Sequence, residues 1–163
     1  MRSKLEGIYR RHRQGLFTVA LSITRCPALA EDAIHEAFAR MWKSQHHPSG
    51  DGLAYVFSAV RNAAVDQVRR QSAAERAGQA ASIYDDAPSD DPAEMSADAE
   101  RDRLLRQSLE GLPLEQREAV VLRVYAGLKF EQMADVTGES LSTVASRYRR
   151  AMETLRGRVQ RFL

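Results

Sequence analysis

The sequence predicts an all-α protein made of two small helical domains joined by a flexible acidic linker. Apolar residues recur every three or four positions over most of the 163 residues, and no segment shows the alternation typical of a strand. Residues 84–98, "YDDAPSDDPAEMSAD", replace that pattern with acidic residues and proline, a composition typical of a linker. We therefore place a first domain at residues 1–72, the linker at 73–102 and a second domain at 103–163.

Three helices are predicted for the first domain. A stripe of apolar residues from Leu5 to Ile23 recurs at helical spacing, and Pro27 ends this helix or starts a turn. The second helix is predicted at about Ala28 to Lys43, with acidic residues early and basic residues late, as the helix dipole favours. Residues 46–52 contain proline and glycine and are predicted to form a loop. A third helix is predicted from about Leu53 to Gln71 or beyond.

The second domain is predicted to contain shorter helices. Helical periodicity resumes near Ala99 and breaks at residues 111–113, "GLP". A helix at about Leu114 to Ala126 is followed by glycine, which is common just beyond a helix C-terminus. Two further helices are predicted at Phe130–Thr137 and Leu141–Phe162, joined at "GES".

The charge is distributed unevenly along the chain. Residues 1–72 carry 11 basic and 6 acidic residues, a net charge of +5, and residues 103–163 carry 11 and 7, a net charge of +4. Residues 73–102 carry 2 basic and 9 acidic residues, a net charge of −7. Two basic blocks separated by an acidic one predict a polyanionic partner, such as a nucleic acid, for the domains.

The sequence predicts no enzyme, metal site or cofactor site. A single cysteine, Cys26, excludes an internal disulfide framework and a thiolate metal cage. The histidines lack partners at ligand spacing, and no glycine-rich phosphate loop follows a strand. The N-terminus is too polar for a signal peptide and no apolar run is long enough to span a membrane, so we expect a soluble cytoplasmic protein without direct membrane insertion.

Residues 130–155 have the layout of a helix-turn-helix, with a short helix, a glycine turn and a longer helix. Ser140 or Ser142 can cap the longer helix by accepting from its free backbone N–H groups. At 100° per residue, the inward face of that helix is predicted to hold Val144, Tyr148, Ala151, Met152 and Leu155.

The opposite face of that helix combines short hydroxyls with arginines. Short side chains allow a helix to approach the floor of a major groove closely. Arginine donates two hydrogen bonds to a guanine edge or binds phosphates. The residues predicted to contact DNA are Ser142, Ser146, Arg149 and Arg150, with Thr143 and Arg147 at the margin. A helix-turn-helix alone does not say whether its protein is a repressor, an activator or something else.

The ordered set of segments resembles an extracytoplasmic-function (ECF) sigma factor over nearly the whole chain. The segments are "ALAEDAIHEAFARMWK" from Ala28, "LAYVFSAVRNAAVDQVRR" from Leu53, "LPLEQREAVVLRVYAGLKFEQMADVTG" from Leu112, and "STVASRYRRA" from Ser142. The resemblance implies a bacterial sigma subunit with a three- or four-helix region 2, a linker and a region 4 helix-turn-helix. The polymerase, not this chain, would then carry out the chemistry.

The resemblance also implies roles for individual residues. The second helix would bind the clamp helices of the largest polymerase subunit through Asp32, Glu36, Phe38 and Trp42, although Phe38 has mainly the character of a core residue. The third helix would read and open the −10 promoter element, with Tyr55 stacking on an unpaired base and Asn62 reading base edges, beside Ser58 and Arg69. The helix-turn-helix would read the −35 element.

Further partners follow from the resemblance alone. Region 4 would contact the flap of the second-largest polymerase subunit, and the linker would thread into the active-site cleft and RNA exit path. An anti-sigma factor would hold the free protein inactive.

Three positions depart from the family pattern. Tyr55 stands where the family often has tryptophan, so base stacking there is expected to differ. Lys129 occupies the usual Ser/Thr capping position, and a poorer cap of about 1 kcal/mol is expected. Ala145 replaces a familiar basic DNA contact, so −35 specificity is expected to differ.

Two alternatives to a sigma subunit stay open from the sequence. A stand-alone helix-turn-helix regulator would bind duplex DNA tightly without polymerase, usually as a dimer on a palindrome. A helical interaction module without a DNA role would be indifferent to the loss of Arg149 and Arg150. Of the three hypotheses, only a sigma subunit explains both basic domains and the acidic segment between them.

Overall fold

The computed structural model describes residues 2–44, 49–78, 103 and 106–162, and within these ranges the secondary structure is entirely helical. This confirms the predicted all-α class. Residues 79–102 of the predicted acidic linker, and the loop residues His46 and His47, lie outside the described residues.

The first unit is a bundle of three long helices. They are α1 at Arg2–Thr24, α2 at Pro27–Lys43 and α3 at Gly52–Arg76. Pro27 starts α2 rather than ending α1, and a proline suits the first turn because its missing N–H would have no partner there. The third helix runs four residues past the expected domain boundary at 72.

Apolar faces of these three helices pack together and form most of the core. Leu16, Val19, Val56, Phe57 and Val60 are at most 1% exposed. Alanines on α2 and α3, including Ala30 and Ala64, allow the helix axes to approach closely, since a small side chain does not hold the backbones apart.

The second unit begins with a helical segment at residues 106–110 and continues with α4 at Leu114–Val120. A π-helical turn at Val121–Tyr125 directly extends α4, followed by α5 at Phe130–Thr137 and α6 at Leu141–Phe162. The bounds predicted for α5 and α6 are confirmed.

The helix predicted at 114–126 is therefore not a continuous α-helix. In the π turn a backbone N–H donates to the carbonyl five residues earlier, instead of four as in an α-helix. The Ala126 N–H donates in this way to the Val121 carbonyl at 3.0 Å. The wider turn points Val124 and Tyr125 outward, 56% and 39% exposed, while Val121 is buried.

The two units are in direct contact. Their buried residues form one continuous apolar cluster, in which Leu122, Leu128 and Met133 join the core of α1–α3. A second, smaller cluster belongs to the second unit alone and consists of Leu109, Leu112, Val120, Ala151 and Leu155.

Candidate nucleic-acid interface

A tight turn sets the angle between α5 and α6. Gly138 ends α5 with a φ of 72°, a left-handed conformation that glycine adopts without strain. The Ser140 hydroxyl oxygen accepts from the Thr143 N–H at 3.2 Å and lies 2.8 Å from the Thr143 hydroxyl oxygen. Of the two predicted capping serines, Ser140 is the one that caps α6, which leaves Ser142 exposed on the outer face.

The inner face of α6 is the predicted one. Val144, Ala151 and Leu155 are 2%, 0% and 8% exposed. Tyr148 packs edge-on against Phe130 of α5, with ring centroids 5.6 Å apart. These contacts fix the rotation of α6 and therefore which side chains face outward.

The outer face of α6 carries all six residues predicted to contact the −35 element. Ser142, Arg149 and Arg150 are exposed, and Thr143, Ser146 and Arg147 are partly exposed. The Arg147 guanidinium donates to the Glu139 carboxylate at 3.4 Å, which ties this arginine to the turn between the helices. The arrangement presents hydroxyls near the helix N-terminus and guanidinium groups further along, as a major-groove reader requires.

The start of α5 has an incomplete cap. Lys129 occupies the N-cap position, and its ammonium group has no acceptor for the free backbone N–H groups. The Gln132 side-chain oxygen accepts from the Lys129 N–H at 2.8 Å and so supplies one half of a capping box.

The predicted −10 residues form one stripe on α3, on the side away from its buried face. Asn62 and Arg69 are exposed, whereas Tyr55 and Ser58 are half-buried. Tyr55 packs against the core that the two units share. The tyrosine ring is thus partly covered in this arrangement, while the asparagine amide is accessible.

Asp51 caps α3 and also reaches the second unit. One carboxylate oxygen accepts from the N–H groups of Leu53 at 2.9 Å and Ala54 at 3.3 Å. The other oxygen accepts from the Gln132 side-chain amide at 2.7 Å. The hydrogen bond from Gln132 lowers the pKa of Asp51 most, and the two backbone bonds add to this effect while burial opposes it. Sequence reasoning missed this residue, although an aspartate directly before a helix is a common N-cap signal.

A second polar contact between the units joins Arg61 of α3 to Glu118 of α4. The Arg61 Nε donates to the Glu118 carboxylate at 2.8 Å, and the two side chains are 25% and 10% exposed. The neighbouring Arg117 is buried, and burial lowers its pKa, followed by the like charge of Arg25 at the end of α1. Nothing in the local sequence signals the Arg61–Glu118 pair, because the two residues lie 57 positions apart in the chain.

The predicted polymerase-binding residues on α2 lie in two different settings. Asp32 is exposed. Glu36 is partly buried beside α3, where its carboxylate accepts from Arg70 at 2.8 Å and from Gln67 at 3.2 Å and also pairs with Arg40. The network fixes the carboxylate on the surface of α2 beside α3.

The aromatic pair at the end of α2 divides into a core and a surface residue. Phe38 is 5% exposed and packs edge-on against Tyr9, with ring centroids 5.3 Å apart. Trp42 packs edge-on against Phe38 at 6.2 Å but is 52% exposed. The core character expected for Phe38 is confirmed, and Trp42 offers the larger contact area to a partner.

Two kinds of feature are absent from the described residues, a membrane-spanning helix and a cluster of potential metal ligands. Within ranges 2–44, 49–78 and 106–162, no helix is long and apolar enough to cross a membrane. Over the same part of the chain, no three histidine, cysteine or acidic side chains come together as a potential metal-binding group.

Both units match known protein families. Residues 8–74 match the family Sigma-70 region 2, and residues 102–155 match Sigma-70, region 4. The fold is similar to that of the sigma factor RpoE from Bartonella quintana in its co-crystal structure with the anti-sigma factor NepR. That likeness has a TM-score of 0.74 at 21% sequence identity and covers 98% of this chain and 96% of that one.

Curated relatives extend the match over most of the chain. A probable RNA polymerase sigma factor, RfaY, from Xanthomonas campestris pv. campestris is 33% identical over 88% of this chain, which spans 38% of that protein. The ECF RNA polymerase sigma factor SigK from Mycolicibacterium vanbaalenii is 31% identical over 92% of this chain and 79% of its own length. With both sigma regions matched in order on a helix-turn-helix and a three-helix bundle, the chain belongs to the ECF family of RNA polymerase sigma factors.

Proposed function

We propose that this chain directs core RNA polymerase to a two-part promoter and helps to open the DNA. The observation that carries the proposal is the pairing, on one chain, of a hydroxyl- and arginine-bearing face on α6 with an exposed Asn62 and Arg69 stripe on α3. The first is suited to a duplex groove and the second to unpaired bases. Residues 1–72 would serve as region 2, 73–102 as the linker and 103–163 as region 4.

In the proposed complex, α6 lies in the major groove of the −35 element. Arg149 and Arg150 donate hydrogen bonds to phosphates or guanine edges, while the short side chains of Ser142 and Ser146 allow the helix backbone to approach the bases closely. The Ser140 cap and the Tyr148–Phe130 contact keep this face rigid, so little ordering is required on binding.

On α3 the proposed task is capture of an unpaired base of the −10 element. The Asn62 amide offers a donor and an acceptor to a base edge, and the Tyr55 ring offers a stacking surface. Unstacking a base from a duplex costs a few kcal/mol, and binding of the extruded base offsets part of that free energy. Arg69, two turns beyond Asn62, supplies positive charge for the adjoining backbone.

The surface proposed for the polymerase clamp is the exposed side of α2. Asp32 presents an exposed negative charge, and Glu36 presents a carboxylate held in place by its pairs with Arg40 and Arg70. Trp42 presents a half-exposed aromatic ring. Phe38 takes part indirectly, because it holds Trp42 in place. Contact of region 4 with the flap of the second-largest polymerase subunit completes the proposed attachment.

An anti-sigma factor is the proposed inhibitory partner. The structural neighbour RpoE was crystallised with one, NepR, and shares the fold of this chain over nearly its full length. We place the protein in the cytoplasm, where polymerase is found, and assign the bond-forming chemistry to the polymerase rather than to this chain.

The proposal is tested by in vitro transcription from fragmented genomic DNA of the host bacterium, with core polymerase alone and with this protein added. We expect discrete new start sites that share two upstream sequence blocks. If no new start site appears and the protein does not co-elute with core polymerase, the proposal fails. Tight binding to duplex DNA without polymerase would instead indicate a stand-alone regulator.

A further inference from the structure

Leu141 is a large apolar residue at the edge of a face of α6 that is otherwise polar and basic. It is the first residue of the helix, and its side chain is 46% exposed. A single exposed leucine is common on protein surfaces and by itself indicates nothing. This leucine, however, directly precedes Ser142, the first residue of the face proposed to read the −35 element. Its position calls for a contact with DNA that an apolar side chain can make.

The start of α6 does not require leucine at this position. The Ser140 hydroxyl oxygen accepts from the Thr143 N–H at 3.2 Å, and the Ser140 carbonyl oxygen accepts from the Val144 N–H at 3.1 Å. A hydrophobic contact that fixes the start of a helix joins the residue before the cap to the fourth helical residue. Leu141 holds neither of these positions, so the cap of α6 forms without its side chain.

Leu141 begins a row of three side chains along α6. Ala145 lies four residues after Leu141, and Arg149 lies four residues after Ala145, a spacing that makes each pair neighbours on the helix surface. Ala145 is partly exposed and Arg149 is exposed. The row therefore presents a branched apolar side chain, then a single methyl group, then a guanidinium group. The short side chain of Ala145 leaves room for an apolar group between its two longer neighbours.

The apolar part of this row is complementary to one chemical group of the major groove. The base edges there present hydrogen-bond donors and acceptors, with which leucine and alanine cannot pair, and the C5-methyl group of thymine is the apolar exception. The first turn of α6 contains no acidic residue. No carboxylate in that turn therefore opposes the approach of DNA to this end of the helix.

We propose that Leu141 and Ala145 form a site for the C5-methyl group of a thymine in the −35 element and thereby determine which base is preferred there. This inference rests on the proposed function and names the base that the apolar end of the reading face selects. Leu141 forms the side of the site, and Ala145 keeps the space beside it open. A long side chain at position 145 would fill that space.

Replacement of the thymine by deoxyuridine isolates the proposed contact. The exchange removes the C5-methyl group and leaves the hydrogen-bond donors and acceptors of the base pair unchanged. Burial of one apolar carbon group is worth about fourfold in affinity. The hydroxyls and arginines of α6 keep their contacts in both duplexes, so the expected loss comes from the apolar contact alone.

The test measures binding of the holoenzyme, formed from core polymerase and the full chain, to a promoter duplex found by the genomic transcription experiment. Each thymine of the −35 element, on either strand, is replaced in turn by deoxyuridine, and the dissociation constant is measured by fluorescence anisotropy. With the wild type we expect one position at which affinity falls about fourfold. Leu141→Ala removes the side of the site and Ala145→Arg fills the space, so each should bind the two duplexes equally.

Val159→Ala is the matched control, because it removes apolar atoms from a side chain that is 54% exposed near the other end of the same helix. It should discriminate between the two duplexes as the wild type does, and circular dichroism establishes that each variant is folded. Absence of a methyl effect at every thymine, or a −35 element without thymine, would overturn the inference. So would a methyl effect that persists at full size in either folded variant of the site. Failure of the wild-type holoenzyme to bind any promoter would instead refute the proposed function.

Discussion

The two surfaces proposed to contact DNA differ in how far their contact residues are exposed and held in place in the folded chain. On α6 the reading face is fully formed, because Ser140 caps the helix and Tyr148 is locked against Phe130. On α3 the two residues proposed to contact bases differ in exposure: Asn62 is exposed, whereas Tyr55 is half-buried against the main core cluster. Duplex recognition therefore needs little change in the protein, whereas base stacking requires more of the Tyr55 ring to become accessible. The four predictions below test this contrast, from the largest expected effect to the smallest.

Phe57→Ala is expected to have the largest effect on stability. Phe57 is 0% exposed and lies in the core that α3 shares with the second unit. Truncation of a buried phenylalanine costs about 3–5 kcal/mol, so the free energy of unfolding should fall by that amount in urea titration. Val159→Ala, at a side chain 54% exposed, is the control and should stay within about 0.5 kcal/mol of the wild type. A small loss for Phe57→Ala would contradict a core shared through α3.

The double substitution Arg149→Ala and Arg150→Ala should weaken holoenzyme binding to duplex promoter DNA. Affinity falls as salt concentration rises, and each lost phosphate contact makes the slope of log affinity against log salt concentration less steep by about 1. The slope is measured by fluorescence anisotropy at several salt concentrations. Arg161→Ala, in the last turn of α6, is the control. An unchanged slope in the double variant would show that this face does not lie on DNA.

Asn62→Ala should impair opening rather than duplex binding. Loss of one base-edge contact is worth about 1–3 kcal/mol, roughly a 5- to 150-fold drop in transcription from a duplex template. A template with a pre-melted −10 region should restore part of this loss, whereas it should not rescue the variant lacking Arg149 and Arg150. Equal defects of Asn62→Ala on both templates would remove the distinction between the two surfaces.

Asp51→Ala should cost about 0.5–2 kcal/mol of stability, because the cap of α3 is lost. Asp51→Asn keeps a capping oxygen without the charge and is the matched control. The pKa of Asp51 is lowered in the folded protein, chiefly by the Gln132 hydrogen bond. The charge-dependent stabilisation is therefore complete above the unfolded value of about 3.9 and is lost as the pH falls through the lower, folded value.

Thermal unfolding of the wild type and Asp51→Asn between pH 7 and pH 2 measures this difference. The gap between the two proteins should stay constant down to about pH 5 and should shrink at lower pH. A gap that widens with acid would mean that the carboxylate is not stabilised in the folded state.

Sequence patterns predicted the last two helices of the second unit well, because their ends carry local signals. Gly138 and Ser140 stop one helix and start the next, so the bounds of α5 and α6 agree with the prediction. The inward face of α6 was also predictable from the 100° spacing, which separates Val144 and Ala151 from the arginines.

The π turn and the junction between the units could not be predicted in this way. A π turn has nearly the same apolar periodicity as the α-helix it extends, and the two differ in the backbone hydrogen bond from Ala126 N–H to the Val121 carbonyl, which the sequence does not reveal. The Asp51–Gln132 hydrogen bond joins residues 81 positions apart. No local pattern in one sequence specifies such a pairing.

Footprinting of the promoter complex tests the central claim most directly. Holoenzymes with the wild type, with Asn62→Ala and with the Arg149 and Arg150 double substitution are compared for backbone protection at −35 and for permanganate-reactive thymines at −10. We predict that Asn62→Ala keeps the −35 protection but loses the −10 reactivity, whereas the double substitution loses both. If Asn62→Ala and the double substitution lose both signals to the same extent, α3 and α6 do not divide the work as proposed.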